Sequence, residues 1–119
     1  MSFKEECQKL LDHYVTCYQQ GDAKGCASVY SAHAEMYSPF GPPAIGRQAI
    51  EDTHAEWVGE GANNKQIAVS SADRNGDLGW CVARFSEGAT GEGISLNVLA
   101  RQSDGSWLIT HCSLNEIQL

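Results

Sequence analysis

Residues 65–87 decide the fold, and they read Lys-Gln-Ile-Ala-Val-Ser-Ser-Ala-Asp-Arg-Asn-Gly-Asp-Leu-Gly-Trp-Cys-Val-Ala-Arg-Phe-Ser-Glu. Ile67 and Val69 begin a period-two pattern, which is typical of a half-buried β-strand. The pattern ends in Asp-Arg-Asn-Gly-Asp at 73–77, and Asn-Gly is the strongest short signal for a hairpin turn. The stretch therefore predicts an antiparallel hairpin whose second strand covers residues 78–87.

The strand pattern continues towards the end of the sequence. Residues 94–102 and 107–116 predict a third and a fourth strand, and Ser-Asp-Gly-Ser at 103–106 predicts the turn between them. The loop before the third strand contains three glycines: Gly88, Gly91 and Gly93. The second half of the chain is therefore predicted to be an antiparallel meander.

The first half of the sequence has the three-to-four-residue spacing of amphipathic helices. Ser2 precedes Glu5 by three residues, the spacing of a capping box, and Gly21 ends the first helix. The predicted elements are a helix over 3–20, a helix over 23–32, a short strand over 35–38, a Pro-rich break over 39–43 and a helix that starts at Gly46 and stops at Gly59 and Gly61. Helices followed by an antiparallel sheet predict an α+β fold in one domain, residues 1–119.

The composition excludes several classes of function. The chain has 119 residues, 42% hydrophobic and 19% charged, so it is long enough for one domain with a real core. Its net charge of −7 disfavours nucleic acid and anionic membrane surfaces as partners, because both need clustered lysine and arginine. Five cysteines in no C-x-x-C pair, and a first helix too charged for a signal peptide, favour a cytoplasmic protein with reduced, buried thiols.

The sequence carries no motif for a cofactor or a metal ion. The glycines at 88, 91 and 93 are in the wrong order for a dinucleotide fingerprint and lie between strands. His33-Ala-Glu35 and His54-Ala-Glu56 each match half of a zinc deaminase signature, but the Pro-Cys-x-x-Cys half is missing. We therefore expect neither a cofactor nor a metal.

Three segments, in order, resemble the NTF2-like superfamily in its SnoaL-like and ketosteroid isomerase-like branch. Residues 14–22, Tyr-Val-Thr-Cys-Tyr-Gln-Gln-Gly-Asp, are similar to the end of that family's first helix at a Gly-Asp turn. Residues 34–41, followed by Gly-Arg-Gln-Ala-Ile at 46–50, resemble its strand, Pro-containing bend and helix start. Residues 104–111, Asp-Gly-Ser-Trp-Leu-Ile-Thr-His, look like its closing hairpin. The resemblance spans nearly the whole chain.

The resemblance implies a curved antiparallel β-sheet wrapped around a conical cavity, closed on one side by the three helices. It also implies a small hydrophobic molecule as the partner and a homodimer formed through the sheet. It does not imply one activity, because the family includes isomerases, polyketide cyclases, dehydratases, epoxide hydrolases and non-catalytic binding or association modules.

The ketosteroid isomerases of this family imply three positions for a catalytic site. Their carboxylate base falls on Ser38, whose hydroxyl is not a base near neutral pH without a partner. Their oxyanion is held by a tyrosine of the first helix and an acid of the sheet, which fall on Tyr14 and approximately on Asn97. We expect these two donors to hold a substrate oxygen or, in the plainer interpretation, to satisfy one partner each inside the core.

Two histidines are candidates for the base that Ser38 cannot supply. His54 lies on the predicted inner face of the third helix. His111 shares a strand face with Trp107 and Ile109 by alternation. A neutral imidazole is the side chain best suited to proton transfer near pH 7, and the alternative for each is a packed histidine with one bonded nitrogen.

Further residues are candidates for the wall of the pocket around Ser38. Tyr18, Phe40 and Trp57 would suit a flat apolar ligand. Arg84 lies in mid-strand, where it is either an anchor for an anionic group or a residue of the solvent or dimer face.

Three functions remain open from the sequence. The first is a proton-transfer isomerase, cyclase or dehydratase that acts on a hydrophobic carbonyl-type substrate through Tyr14, His54, Asn97 and His111. The second is a non-catalytic protein that binds a flat hydrophobic ligand. The third is a dimeric association module with a vestigial cavity.

Overall fold

The helices and strands follow the predicted order along the chain. The computed structural model describes residues 1–59, 64–87 and 91–117, so Gly61 and Gly88 of the predicted loops lie outside the described residues. The bounds are α1 Phe3–Gln19, α2 Ala23–Ala27, β1 Tyr30–Tyr37, β2 Ala44–Ile45, α3 Arg47–Val58, β3 Lys65–Asn75, β4 Leu78–Glu87, β5 Glu92–Arg101 and β6 Trp107–Glu116. The α+β class is confirmed.

Helix α1 begins and ends through local chemistry that the sequence predicts. The Ser2 hydroxyl accepts a hydrogen bond from the Glu5 amide, and the Glu5 carboxylate accepts one from the Ser2 amide, both at 3.1 Å. Gly21 adopts a φ of +72°, which favours glycine and ends the helix. Asp22 then caps α2 by accepting from the Gly25 amide.

The junction between α2 and β1 differs from the prediction. The predicted helix over 23–32 is wrong beyond Ala27, and the strand starts at Tyr30 rather than at residue 35. Val29 and Tyr30 favour strands, and the Ile109 amide donates to the Val29 carbonyl at 2.8 Å. Pairing with the last strand therefore overrides the local helical pattern.

The six strands form one sheet in the order β2-β1-β6-β5-β4-β3. Strands β3 to β6 make the predicted antiparallel meander, with Gly76 at a φ of +63° in the first turn. The expectation of a wholly antiparallel sheet is corrected at one place, because β1 runs parallel to β6. The two-residue strand β2, which the sequence pattern did not predict, pairs antiparallel with β1 at the edge.

The sheet has an inner face towards the helices and an outer face away from them. On β4, Cys81 and Ala83 are buried on the inner face, whereas Trp80 and Arg84 are exposed on the outer face. The core lies between the helices and the inner face, and it contains all five cysteines: Cys7, Cys17, Cys26, Cys81 and Cys112. In the described part of the chain, no helix has the length and apolar character that crossing a membrane requires.

Candidate functional site

A cavity of about 510 Å³ opens between the helices and the inner face of the sheet. Six aromatic side chains line it, from α1, β1, the loop after β1, α3 and β4: Tyr14, Tyr18, Tyr30, Phe40, Trp57 and Phe85. Its polar wall residues come from the sheet: Lys65, Glu87, Ser95 and Asn97. A concave site that combines apolar side chains with convergent polar groups is the usual form of a small-molecule pocket.

His54 on α3 is fully buried behind Tyr14 and fixes the direction of that hydroxyl. Its Nδ1 lies 2.8 Å from the Ile50 carbonyl oxygen, and its Nε2 lies 2.7 Å from the Tyr14 hydroxyl. A carbonyl oxygen only accepts, so Nδ1 carries the proton and Nε2 accepts the proton of Tyr14. The hydroxyl oxygen of Tyr14 therefore remains only as an acceptor for any further bond.

Burial determines the protonation of this pair. It lowers the pKa of His54 to about 4, against the opposing effect of the hydrogen bond to Ile50. Burial also raises the pKa of Tyr14 well above its ordinary value. Both groups are therefore neutral near pH 7.

Lys65 is a buried cation in the wall of the cavity. Its Nζ lies 3.0 Å from the Glu87 carboxylate, which also accepts a hydrogen bond from the Tyr18 hydroxyl at 2.9 Å. The ammonium group lies 4.6 Å from the ring centre of Tyr18 and 5.0 Å from that of Phe85, both within the range of cation–π attraction. One carboxylate and two rings thus compensate the charge of Lys65.

Ser95 and Asn97 form a second polar group on β5. Both side chains are buried, and the Asn97 amide donates to the Ser95 hydroxyl oxygen at 3.1 Å. Among the described residues Ser95 makes no other side-chain hydrogen bond, so its own proton remains available to a molecule in the cavity.

The mouth of the cavity is acidic. Three carboxylates lie there beside the aromatic wall, Glu56 at the end of α3, Glu92 at the start of β5 and Glu116 at the end of β6. Phe40 is half-exposed at the same opening and contacts Trp57 edge-on, with 6.1 Å between ring centres. The opening therefore combines apolar surface with negative charge.

No protein-family model matches the sequence, and no curated protein matches it either. Solved structures do match the fold. A ketosteroid isomerase-like protein from Erwinia carotovora atroseptica superposes with a TM-score of 0.78 at 14% identity, over 94% of each chain. An NTF2-like protein of unknown function from Shewanella oneidensis gives a TM-score of 0.79 at 14% identity, over 92% of this chain and 96% of that one. The chain has an NTF2-like fold.

A third structural match carries a different description. It is a putative calcium/calmodulin-dependent protein kinase type II association domain from Thiobacillus denitrificans, with a TM-score of 0.77 at 15% identity, over 93% of this chain and 94% of that chain. At such low identities these matches establish a common fold, and they do not establish a common activity.

The NTF2-like fold brings five of the predicted site residues to the cavity. Those residues line its wall: Tyr14, Tyr18, Phe40, Trp57 and Asn97. His54 lies one layer behind, in ring contact with Tyr14 and Trp57 at 5.4 Å and 4.9 Å between centres. The predicted role of Tyr14 as a donor to a substrate oxygen does not fit, because its proton is directed to His54.

His111 lies on the outer face of the sheet and not in the cavity. Its side chain is 55% exposed, and its Nε2 is 3.7 Å from the Glu35 carboxylate. The prediction that it shares a face with Trp107 and Ile109 is wrong. Thr110 is a β-bulge, because Ile109 and His111 pair with consecutive residues of β5 and leave Thr110 without a partner. One extra residue reverses the alternation.

Ser38 and Arg84 also lie outside the cavity, so their prediction as pocket residues is corrected. The Ser38 hydroxyl accepts a bond from the Phe40 amide at 3.3 Å within the turn after β1. Arg84 is exposed on the outer face of β4, where it lies 3.4 Å from Glu92. Of the two interpretations that the sequence left open for Arg84, the structure favours the surface residue.

The sequence analysis missed Lys65, Glu87 and Ser95 as site residues. A signal for Lys65 exists, since it is in phase with the inner-face residues Ile67 and Val69 of the same strand. A charged residue in phase with apolar ones is a candidate for a buried, paired group. In the described ranges, no three histidine, cysteine or carboxylate side chains lie close enough to hold a metal ion.

Proposed function

We propose that this protein binds a small, mostly apolar molecule in the cavity. The observation that carries the proposal is the concave volume of about 510 Å³ with its six aromatic wall residues. Pockets for drug-sized ligands have roughly 300–1,000 Å³, with few polar groups that fix orientation. The Ser95 hydroxyl and the Tyr14 oxygen would be such groups, the first as a donor and the second as an acceptor.

Binding without chemistry has more support than proton transfer. Both nitrogens of His54 are occupied, and its lowered pKa of about 4 makes it a weak base near neutral pH. Glu87 already accepts bonds from Lys65 and Tyr18. Neither His54 nor Glu87 is therefore a free base, and the alternative isomerase, cyclase or dehydratase would need Glu56 or Glu116 of the cavity lining as its base.

Isothermal titration with neutral two-ring compounds such as 2-naphthalenemethanol tests the binding proposal. Leu114 lines the cavity from β6, and Leu114→Trp should fill part of it and weaken binding at least about tenfold. The matched control is Leu108→Trp, because Leu108 lies on the opposite face of β6 and outside the cavity. Absence of binding by the native protein, or equal affinity in both variants, would contradict the proposal.

A second proposal concerns the outer face of the sheet. Leu78, Trp80 and Leu96 are 62%, 41% and 45% exposed there, which leaves an apolar surface open to water. Some structures with this fold are described as association domains. We propose that this face forms the homodimer that the family resemblance predicts.

Sedimentation velocity over a range of protein concentrations tests the dimer. Leu96→Glu should convert dimer to monomer, because it places a like charge from each protomer in the apolar surface that the dimer would bury. Ile45→Glu is the control, since Ile45 is 58% exposed on β2, at the edge of the sheet. A native protein that stays monomeric at high concentration would rule the dimer out.

The burial of all five cysteines agrees with a cytoplasmic, reducing location, which we also propose.

A further inference from the structure

The wall and mouth of the cavity carry more negative charge than its lysine balances. Among the described lining residues there is one cation, Lys65, and there are four carboxylates: Glu56, Glu87, Glu92 and Glu116. Glu87 compensates Lys65 at 3.0 Å and Glu92 lies 3.4 Å from Arg84, so two carboxylates remain without a cation among the described lining residues, Glu56 and Glu116. The residues outside the described ranges include no lysine, arginine or histidine.

Two of these carboxylates have no protein partner. Glu56 and Glu116 are exposed, and neither side chain makes a hydrogen bond or an ion pair with any residue that the structure describes. Glu56 lies in the last turn of α3, where there is no basic residue. The negative end of a helix dipole favours cations, so helix stability does not explain an acid at this position.

The aromatic wall beside these carboxylates also favours a cation. Phe40 and Trp57 form an edge-on ring pair next to Glu56. Ring faces attract ammonium groups by about 0.5–2 kcal/mol. The same wall already holds one ammonium group in this way, that of Lys65 over Tyr18 and Phe85.

Tyr14 offers a ligand only an acceptor in this cavity, whereas the Ser95 hydroxyl can donate to it. The Tyr14 proton is given to His54, so the Tyr14 oxygen can bond only to a group that donates. A carboxylate or carbonyl oxygen therefore finds no donor at Tyr14, and an anion meets the repulsion of the acidic mouth on its way in.

We infer that the ligand of this cavity is a small apolar amine, bound as its ammonium ion, with the charged group at the mouth on the side of the unpaired carboxylates Glu56 and Glu116. The inference rests on the proposed binding function and names its ligand class. The apolar body of the amine fills the aromatic wall, and the ammonium group donates to the two unpaired carboxylates.

Three naphthalene derivatives of similar size test the charge. They are 2-naphthylmethylamine, 2-naphthalenemethanol and 2-naphthoate, titrated calorimetrically at about pH 7.5, where the amine is protonated and the acid ionised. We expect the amine to bind at least about tenfold more tightly than the alcohol, and the naphthoate to bind most weakly. Raising the salt from about 20 mM to about 500 mM should reduce the preference for the amine, because exposed charges are screened.

A pair of double variants with equal net charge locates the preference. Glu56→Gln with Glu116→Gln should remove the preference, so that the amine and the alcohol bind to this variant with about equal affinity. The control combines Glu6→Gln with Glu51→Gln, because neither residue lines the cavity. The control should bind all three compounds as the native protein does.

The outcomes separate the inference from the function beneath it. If Leu114→Trp weakens binding of the alcohol, but the native protein binds the amine no more tightly than the alcohol, the ligand class is wrong and the binding function stands. If the naphthoate binds most tightly, the inference is overturned and Lys65 is the anchor. If both double variants lose the preference equally, the effect comes from total charge and the site is wrong. If no compound binds, both proposals fail.

Discussion

Strand β5 carries a leucine on each face of the sheet, and the two have different surroundings. Leu99 on the inner face is 1% exposed within the core, whereas Leu96 on the outer face is 45% exposed. They are three residues apart in the same strand. The difference shows that the contribution of an apolar residue depends on its face, and that the outer apolar residues are not needed for the core of the single chain.

The largest expected effect on stability comes from truncating the buried leucine of this pair, and the exposed leucine is the comparison. Leu99→Ala should lower the free energy of unfolding by about 2–5 kcal/mol, because it leaves a cavity in the core. Leu96→Ala should cost less than about 1 kcal/mol in the monomer. Urea unfolding at low protein concentration measures both. Equal losses would contradict the division into an inner and an outer face.

The next effect is a pH dependence of the free energy of unfolding, which arises from the burial of His54. The folded protein keeps His54 neutral down to its pKa of about 4, while the unfolded chain takes up the proton near 6.5. The unfolded chain therefore binds more protons than the folded protein between these two pH values. As a result, the free energy of unfolding is at its full value above pH 6.5 and decreases as the pH falls towards 4. The loss is of the order of 3 kcal/mol.

Comparison with His54→Gln isolates this contribution. The stability difference between native protein and His54→Gln, measured by urea unfolding, should shrink between about pH 7 and about pH 4.5. Tyr14→Phe is the control, because it keeps the buried imidazole and should therefore keep the pH dependence of the native protein. A difference that is constant with pH would show that the imidazole is not buried in its neutral form.

A smaller effect is expected from adding one methyl group at two nearby glycines. At Gly93 a Cβ atom would collide with the Asn115 carbonyl oxygen and the Phe85 ring, whereas at Gly91 it would meet nothing within 4 Å. Gly93→Ala should therefore cost about 1–3 kcal/mol. Gly91→Ala should change stability by less than about 0.5 kcal/mol. Equal thermal unfolding temperatures for the two variants would contradict the tight packing at Gly93.

Local signals in the sequence predicted much of the fold. The capping box of Ser2 and Glu5, the turn at Gly76 and the bounds of β4 and β6 depend on residues close together in the chain. The parallel pairing of β1 with β6 depends on residues far apart, so propensity could not predict it. The bulge at Thr110 likewise arises from strand register, which alternation alone does not reveal.

The candidate site was predictable residue by residue but not as an arrangement. Tyr14 and His54 were both candidates, yet their bond joins side chains 40 residues apart and gives the tyrosine the opposite hydrogen-bonding role. Lys65 was missed because its burial depends on Glu87, on the neighbouring strand. Contacts of this kind are set by the tertiary fold and leave little trace in spacing.

The pairing of β1 with β6 also sets the order in which strands can pair while the chain is being synthesised. About 70 residues separate the end of β1 from the start of its partner. At ~5–20 residues per second, β1 waits roughly 4–14 seconds on the ribosome before β6 is made. The hairpin of β3 and β4 needs no such delay, so the nascent chain can build the sheet from the edge that β3 forms. Strand β1, the first of the long strands to be translated, is then among the last to be paired.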